Sequence, residues 1–183
     1  FVPTPEWKAD TFGEKWLLGD TYFTAIGQYS FLATPLQLVT AVAAIATDGV
    51  LLSPQVVRLG EGEVTPIIRN KMDVSQEDFQ IVQEGMRMVV THPKGTARSL
   101  NLPYVTVAAK TGTAERGVNR SKWNSWTIGY WPYQQPKYAF VVMAENGPAG
   151  NRLGVSRTMT RMFQGLAEDG ITDYFDQALI TLP

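Results

Sequence analysis

The pattern that most restricts the fold begins at Tyr104. Residues 104–109 form an apolar run rich in β-branched and small side chains, and residues 104–111 read as a buried strand. Residues 124–130 and 137–144 read as two more strands, with Gln134-Gln135-Pro136 as the turn between them. Residues 115–122 read as a charged turn. Connections this short favour an antiparallel meander, because parallel strands need long crossovers.

Helices precede and follow this meander. Thr34-Pro35-Leu36-Gln37 combines a capping threonine, proline at the first helical position and glutamine for a capping box. Leu38, Val39, Val42, Ile45 and Ala46 follow at helical spacing, and Gly49 suits the C-terminal cap. Ser75 with Asp78 caps a second helix, with Phe79, Val82, Met86 and Val89 on one face and Pro93 as its stop. A third helix is expected over 155–167, with Met159, Met162, Phe163 and Leu166 inward, and a short one from Asp173. Residues 50–58 look extended, 64–68 hold a short strand, 95–102 form a loop or a helical turn, and 147–151 break the chain. Residues 1–29, with their Pro, Gly and Trp, read as loop. Helices on an antiparallel sheet define an α+β fold with about three strands.

The first strand ends in Lys110-Thr111-Gly112-Thr113. A lysine there needs a reason, since a buried ammonium without a partner is costly. Thr111 and Thr113 carry hydroxyls that donate and accept, and Gly112 lets a ligand backbone lie close. One cation, two hydroxyls and an open strand edge suit a peptide-like ligand with a terminal carboxylate. The ordinary alternative is a strand that simply ends in a turn. Trp126, on the next strand, either supports this strand and its ligand or belongs to the core. Trp123, Trp126, Tyr130, Trp131 and Tyr133 cluster in sequence, but alternate members must face opposite sides of a strand, which argues against a base-stacking platform. Glu115 and Arg116 are expected in a solvated loop.

With a net charge of −1, nothing points to nucleic acid or an anionic membrane surface. The chain has no cysteine, hence no thiolate metal site, and its single histidine, in His92-Pro93, reads as a helix stop. No apolar run reaches membrane-spanning length, because Asp48 ends the longest helical one. The chain opens Phe1-Val2-Pro3-Thr4-Pro5, with neither an initiator methionine nor a basic leader, and is expected to be a segment of something longer.

Several stretches then agree with one family. Gly19-Asp20-Thr21, Ala25-Ile26-Gly27-Gln28 and residues 33–38, then Lys94-Gly95-Thr96-Ala97, residues 109–115 and residues 125–132 resemble, in order, the C-terminal part of the transpeptidase domain of class B penicillin-binding proteins. The resemblance is nearest to the penicillin-binding protein 2 branch, which serves elongation, with the division branch second. It implies a partial penicillin-binding-protein/β-lactamase-like fold, with residues 1–183 as the C-terminal portion of one transpeptidase domain. The family acylates a serine in Ser-x-x-Lys. The serines here are Ser30, Ser53, Ser75, Ser99, Ser121, Ser125 and Ser156, and none has lysine three residues on. Ser99-Leu100-Asn101 fits the family's Ser-x-Asn motif but lies too close to the Lys-Thr-Gly strand, so it reads as loop composition. Nucleophile and lysine base are therefore expected upstream, in the N-terminal part of the same protein.

By this resemblance Lys110 and Thr113 are the catalytic residues of the chain. Lys110 supplies positive field and the Thr113 backbone N–H is an oxyanion donor. Thr111, Gly112, Thr113 and Trp126 are the substrate-binding residues, with the Thr111 and Thr113 hydroxyls on the ligand carboxylate. The implied reaction is serine acyl transfer that cross-links D-alanyl-D-alanine stem peptides of peptidoglycan, with β-lactams acylating the same serine. It needs neither metal nor cofactor. Implied partners are the stem peptide, β-lactams, the N-terminal part and proteins of a cell-elongation complex. The implied place is the periplasmic face of the inner membrane, with an N-terminal helical anchor outside this chain. The alternative is a non-catalytic penicillin-recognising sensor or scaffold domain.

Overall fold

The computed structural model describes residues 1–57, 65–116, 119–150 and 154–176. They fall into two compact units, Phe1–Thr34 and Pro35–Pro183.

The second unit holds the expected meander. Strands β3 (Ala108–Arg116), β4 (Lys122–Trp131) and β5 (Tyr138–Pro148) form an antiparallel sheet in that spatial order. The numbering counts a small antiparallel pair earlier in the chain, β1 (Val50–Leu52) with β2 (Ile68–Lys71). The expected strand at 64–68 thus starts only at Ile68, and residue 64 lies outside the described residues.

The sheet differs from expectation at its far end. Glu115, Arg116 and Lys122 belong to strands rather than to a turn, and Gly147 and Pro148 still belong to β5. Cross-strand pairing carries the hairpins past the apolar runs: Arg116 pairs with Lys122, and Lys122 with Pro148. Ladder hydrogen bonds do not require apolar side chains, so hydrophobic pattern alone ends such strands too early. At the near end β3 begins at Ala108, four residues after the expected start.

Both faces of the sheet are packed. On one, Val42 of α3 (Pro35–Ala46) and Met86 of α4 (Gln76–Thr91) meet Ala108 and Tyr130. On the other, Met159 and Phe163 meet Ala109, Trp131 and Phe140. These two come from the last helix, Ser156–Glu168. Phe163 is fully buried and stands edge-on to Trp131 with ring centroids 5.1 Å apart. Burial of such a side chain is worth about 2–3 kcal/mol. Tyr130 and Trp131 go to opposite faces, as strand alternation requires.

The helix signals hold with small shifts. α3 starts at Pro35, and Gly49 beyond its end has φ +90°. Ser75 Oγ accepts from the Asp78 N–H at 3.1 Å, and α4 ends at Thr91 before His92-Pro93. Phe79, Met86 and Val90 form its buried stripe, while Val82, expected inward, is 47% exposed. Met162, also expected inward, is 41% exposed, because Met159 and Phe163 already fill the stripe. Residues 95–102 include a short 3₁₀ turn, Arg98–Leu100. Residues 173–175 form a turn, and the remainder of the expected terminal helix lies outside the described residues.

The first unit corrects the reading of residues 1–29 as loop. It contains α1 (Pro5–Phe12) and α2 (Leu18–Ala25). Neither carries an apolar stripe long enough to register as periodicity. The caps were legible, however: Thr4 Oγ1 accepts from the Trp7 N–H at 3.2 Å, Pro5 opens the helix, and Gly13 closes it with φ +68°. That is the same grammar as Thr34-Pro35. The unit is organised around Lys8, which is 4% exposed. Its ammonium donates to Asp20 Oδ2 at 2.8 Å and lies 3.4 Å from Glu14. Asp20 also accepts from the Leu17 N–H at 2.7 Å, and Trp7 packs edge-on against Phe1, Phe12 and Tyr29.

Candidate active site

β3 has β4 on one side and, among the described residues, no strand on the other. Its outer edge therefore offers unpaired backbone donors and acceptors to an extended ligand. The start of the strand is held by Arg87 of α4, which the sequence did not single out. Arg87 Nη1 donates to the Val107 carbonyl at 2.7 Å, and its guanidinium lies 6.0 Å from the Tyr133 ring centroid. Burial draws its pKa below the ordinary value. Burial likewise pushes the Tyr130 hydroxyl up.

The four candidate residues on β3 share this edge but alternate between faces. Lys110 pairs with Ile128 and Gly112 with Trp126, on the α3/α4 face. Thr111 pairs with Thr127 and Thr113 with Ser125, on the other face. The structure thus places cation and hydroxyls on one edge, not on one surface.

Lys110 is exposed. Its Nζ donates to the Thr111 carbonyl at 2.5 Å and forms no ion pair among the described residues. It stands at the rim of a cavity of about 400 Å³ whose other walls are Ile45, Val82, Gly85, Met86, Val89 and Ile128. An ammonium with unused protons beside an apolar hollow is well suited to hold an anion, since few competing donors dilute its field.

Gly112 is exposed, and a Cβ there would come no nearer than 3.7 Å to the Trp126 Cβ. The protein itself leaves this space open, so glycine is not demanded by packing. Trp126 is half-buried and belongs to neither apolar cluster; it flanks Gly112 instead of filling the core. Thr113 is exposed. Thr111 is half-buried, and its hydroxyl meets that of Thr96 at 2.6 Å.

The remaining polar candidates have structural partners. Ser99 donates to Ser156 Oγ at 3.2 Å, and its carbonyl accepts from Thr160 at 2.8 Å. His92 closes α4, and its Nδ1 accepts from the Lys94 N–H at 3.1 Å. Arg116 of β3 reaches Glu145 of β5 at 3.5 Å at the exposed far end of the sheet.

Comparison with known proteins identifies the family. The family described as the penicillin binding protein transpeptidase domain matches residues 4–163. A peptidoglycan D,D-transpeptidase MrdA from Acinetobacter baumannii is 34% identical over 81% of this chain and 25% of its own length. The solved penicillin-binding protein PBP2 from Helicobacter pylori superposes with a TM-score of 0.73 at 34% identity, covering 93% of this chain and 31% of that one. The same H. pylori protein, solved in complex with MreC, gives a TM-score of 0.70 at 34% identity, with the same coverage. The chain belongs to the penicillin-binding protein transpeptidase family. Relatives named MrdA and neighbours named PBP2 are among its matches, and it spans about a quarter of the length of those MrdA proteins.

Proposed function

We propose that this chain is the Lys-Thr-Gly wall of a peptidoglycan D,D-transpeptidase that cross-links stem peptides by serine acyl transfer and is acylated by β-lactams. The observation that carries the proposal is Lys110, a cation without an ion pair among the described residues, at the open edge of β3 in a chain of this family.

In this mechanism a stem peptide or a β-lactam lies along the outer edge of β3. The hydroxyls of Thr111 and Thr113 hold its carboxylate, and Lys110, from the opposite face of the same edge, adds positive field. Gly112 leaves room for its backbone, and Trp126 walls the site beside it. The Thr113 N–H stabilises the oxyanion that forms when the nucleophile attacks the donor carbonyl. One such donor is worth about 3 kcal/mol in the transition state, roughly a hundredfold in rate. The serine and its lysine base lie in the N-terminal part of the same domain, of which these residues are the C-terminal portion. D-Alanine leaves, and an amine from a neighbouring stem resolves the acyl-enzyme.

The full protein is placed on the periplasmic face of the inner membrane, anchored by a helix upstream. Among the described residues no helix is long and apolar enough to cross a membrane. A cell-elongation complex is the proposed setting, supported by the MreC complex of the H. pylori relative.

The test is fluorescent penicillin on the full-length protein, followed by peptide mapping. Label on a serine of Ser-x-x-Lys outside these residues is expected. Label on any serine within them would overturn the placement of the nucleophile. No label on folded protein would replace the enzyme with a scaffold, and label without stem-peptide transfer would replace it with a sensor.

A further inference from the structure

We propose that Thr96 is a positioning residue for carboxylate recognition on β3, acting through the Thr111 hydroxyl. The inference rests on the proposed function, and it assigns a role to a residue outside the Lys-Thr-Gly strand.

The two hydroxyl oxygens are 2.6 Å apart, and geometry alone leaves either as donor. Ligand chemistry removes the choice. A carboxylate only accepts, and a hydroxyl has one proton. If Thr111 donates to a carboxylate, it cannot also donate to Thr96. Thr96 must then give its proton to Thr111, and the chain runs from Thr96 through Thr111 to the ligand. Each bond polarises the next, and the Thr111 rotor is held with its proton outward.

Thr111 has another hydroxyl beside it that it does not use. Thr127 is its cross-strand partner, fully buried, and among the described residues the Thr127 hydroxyl has no hydrogen-bond partner. The Thr111 oxygen is therefore turned away from the sheet interior and toward Thr96.

The loop that carries Thr96 is built to keep it there. The Ala97 N–H donates to the Val89 carbonyl at 3.1 Å and Ala97 is fully buried, so the residue after Thr96 is anchored in the core. Before it, Gly95 donates to the His92 carbonyl at 2.8 Å, and a Cβ on Gly95 would fall 2.2 Å from the Val89 oxygen. Only glycine lets the chain pass this close to the end of α4. Thr96 itself is exposed, and no packing demand accounts for it.

The experiment compares acylation of the full-length protein by benzylpenicillin and by its uncharged methyl ester. Thr96→Val should lower the preference for the free acid by about fivefold, the value of one ordinary hydrogen bond, while acylation by the ester hardly changes. Thr96→Ser should restore the preference, and Thr96→Val should add nothing in a Thr111→Val background. An undiminished preference in Thr96→Val overturns the proposal. Equal slowing with both compounds does so as well, since it marks a merely structural role, as does a full further loss on top of Thr111→Val. If the wild type is acylated by neither compound, the transpeptidase function itself falls and the role of Thr96 with it.

Discussion

Lys8 and Lys110 show what a lysine does in two settings of one chain. Lys8 is enclosed by α1, α2 and Tyr29, whose ring centroid is 5.9 Å from Nζ, and two carboxylates meet its charge. Lys110 stands exposed on an edge strand, with only a backbone carbonyl as partner among the described residues. The first cation is consumed by the fold, because a buried charge is tolerated only with its counter-charge. The second is left over by the fold, and a cation whose charge the protein does not use is available to a ligand.

The contrast is broken most directly at Lys110. Lys110→Ala in the full-length protein should slow acylation by penicillin roughly a hundredfold, as loss of a charge-stabilising donor does, and leave the melting temperature unchanged. Rate comes from gel-based labelling and stability from calorimetry; a large drop in melting temperature would make Lys110 structural like Lys8. At Lys8 the opposite split is expected. Lys8→Met leaves Asp20 buried without its cation, so hydrogen exchange across Phe1–Thr34 should accelerate, and Asp20→Leu added to it should recover part of the protection.

The same pair gives that unit a pH dependence with two limbs. The hydrogen bond from Lys8 and then that from the Leu17 N–H hold Asp20 below its ordinary 3.8. Its contribution is complete above that value and disappears as pH falls through the depressed one. The Asp20 hydrogen bond holds Lys8 above its ordinary 10.5, so that contribution is complete below 10.5 and disappears as pH rises through the raised value. Exchange protection measured against pH should show both limbs in the wild type; Lys8→Met should lose the alkaline limb and keep only a weakened acid limb, since the Leu17 N–H still bonds Asp20. The smallest effect belongs to the exposed Arg116–Glu145 pair. Arg116→Ala should shift stability by less than about 1 kcal/mol, with acylation unchanged; a larger loss by denaturant titration would mean that surface charge at this end of the sheet resembles Lys8 more than its exposure suggests.

Much of this was legible in the residues. The meander, α3, α4 and the last helix follow from period, caps and turns, and the order of motifs was enough for the family. Thr4-Pro5 carried a helix signal as clear as Thr34-Pro35 and was outweighed by the missing apolar stripe. The strand ends at Arg116 and Pro148 could not be read, because pairing across a ladder extends polar segments that have no strand pattern of their own. Trp126 left two roles open, and only its position beside Gly112, outside both clusters, excludes the core.

What the sequence determined by itself is local: which segments are helix or strand, where they are capped, and that Lys-Thr-Gly ends an apolar run. Those properties depend on residues within a turn or two of one another. The tertiary structure decided which groups meet. Lys8 finds Asp20 twelve positions away, Thr111 finds Thr96 fifteen away, and among the described residues β3 keeps one edge open. A hydrogen-bond partner is set by where the chain returns in space, and that is a property of the packed whole.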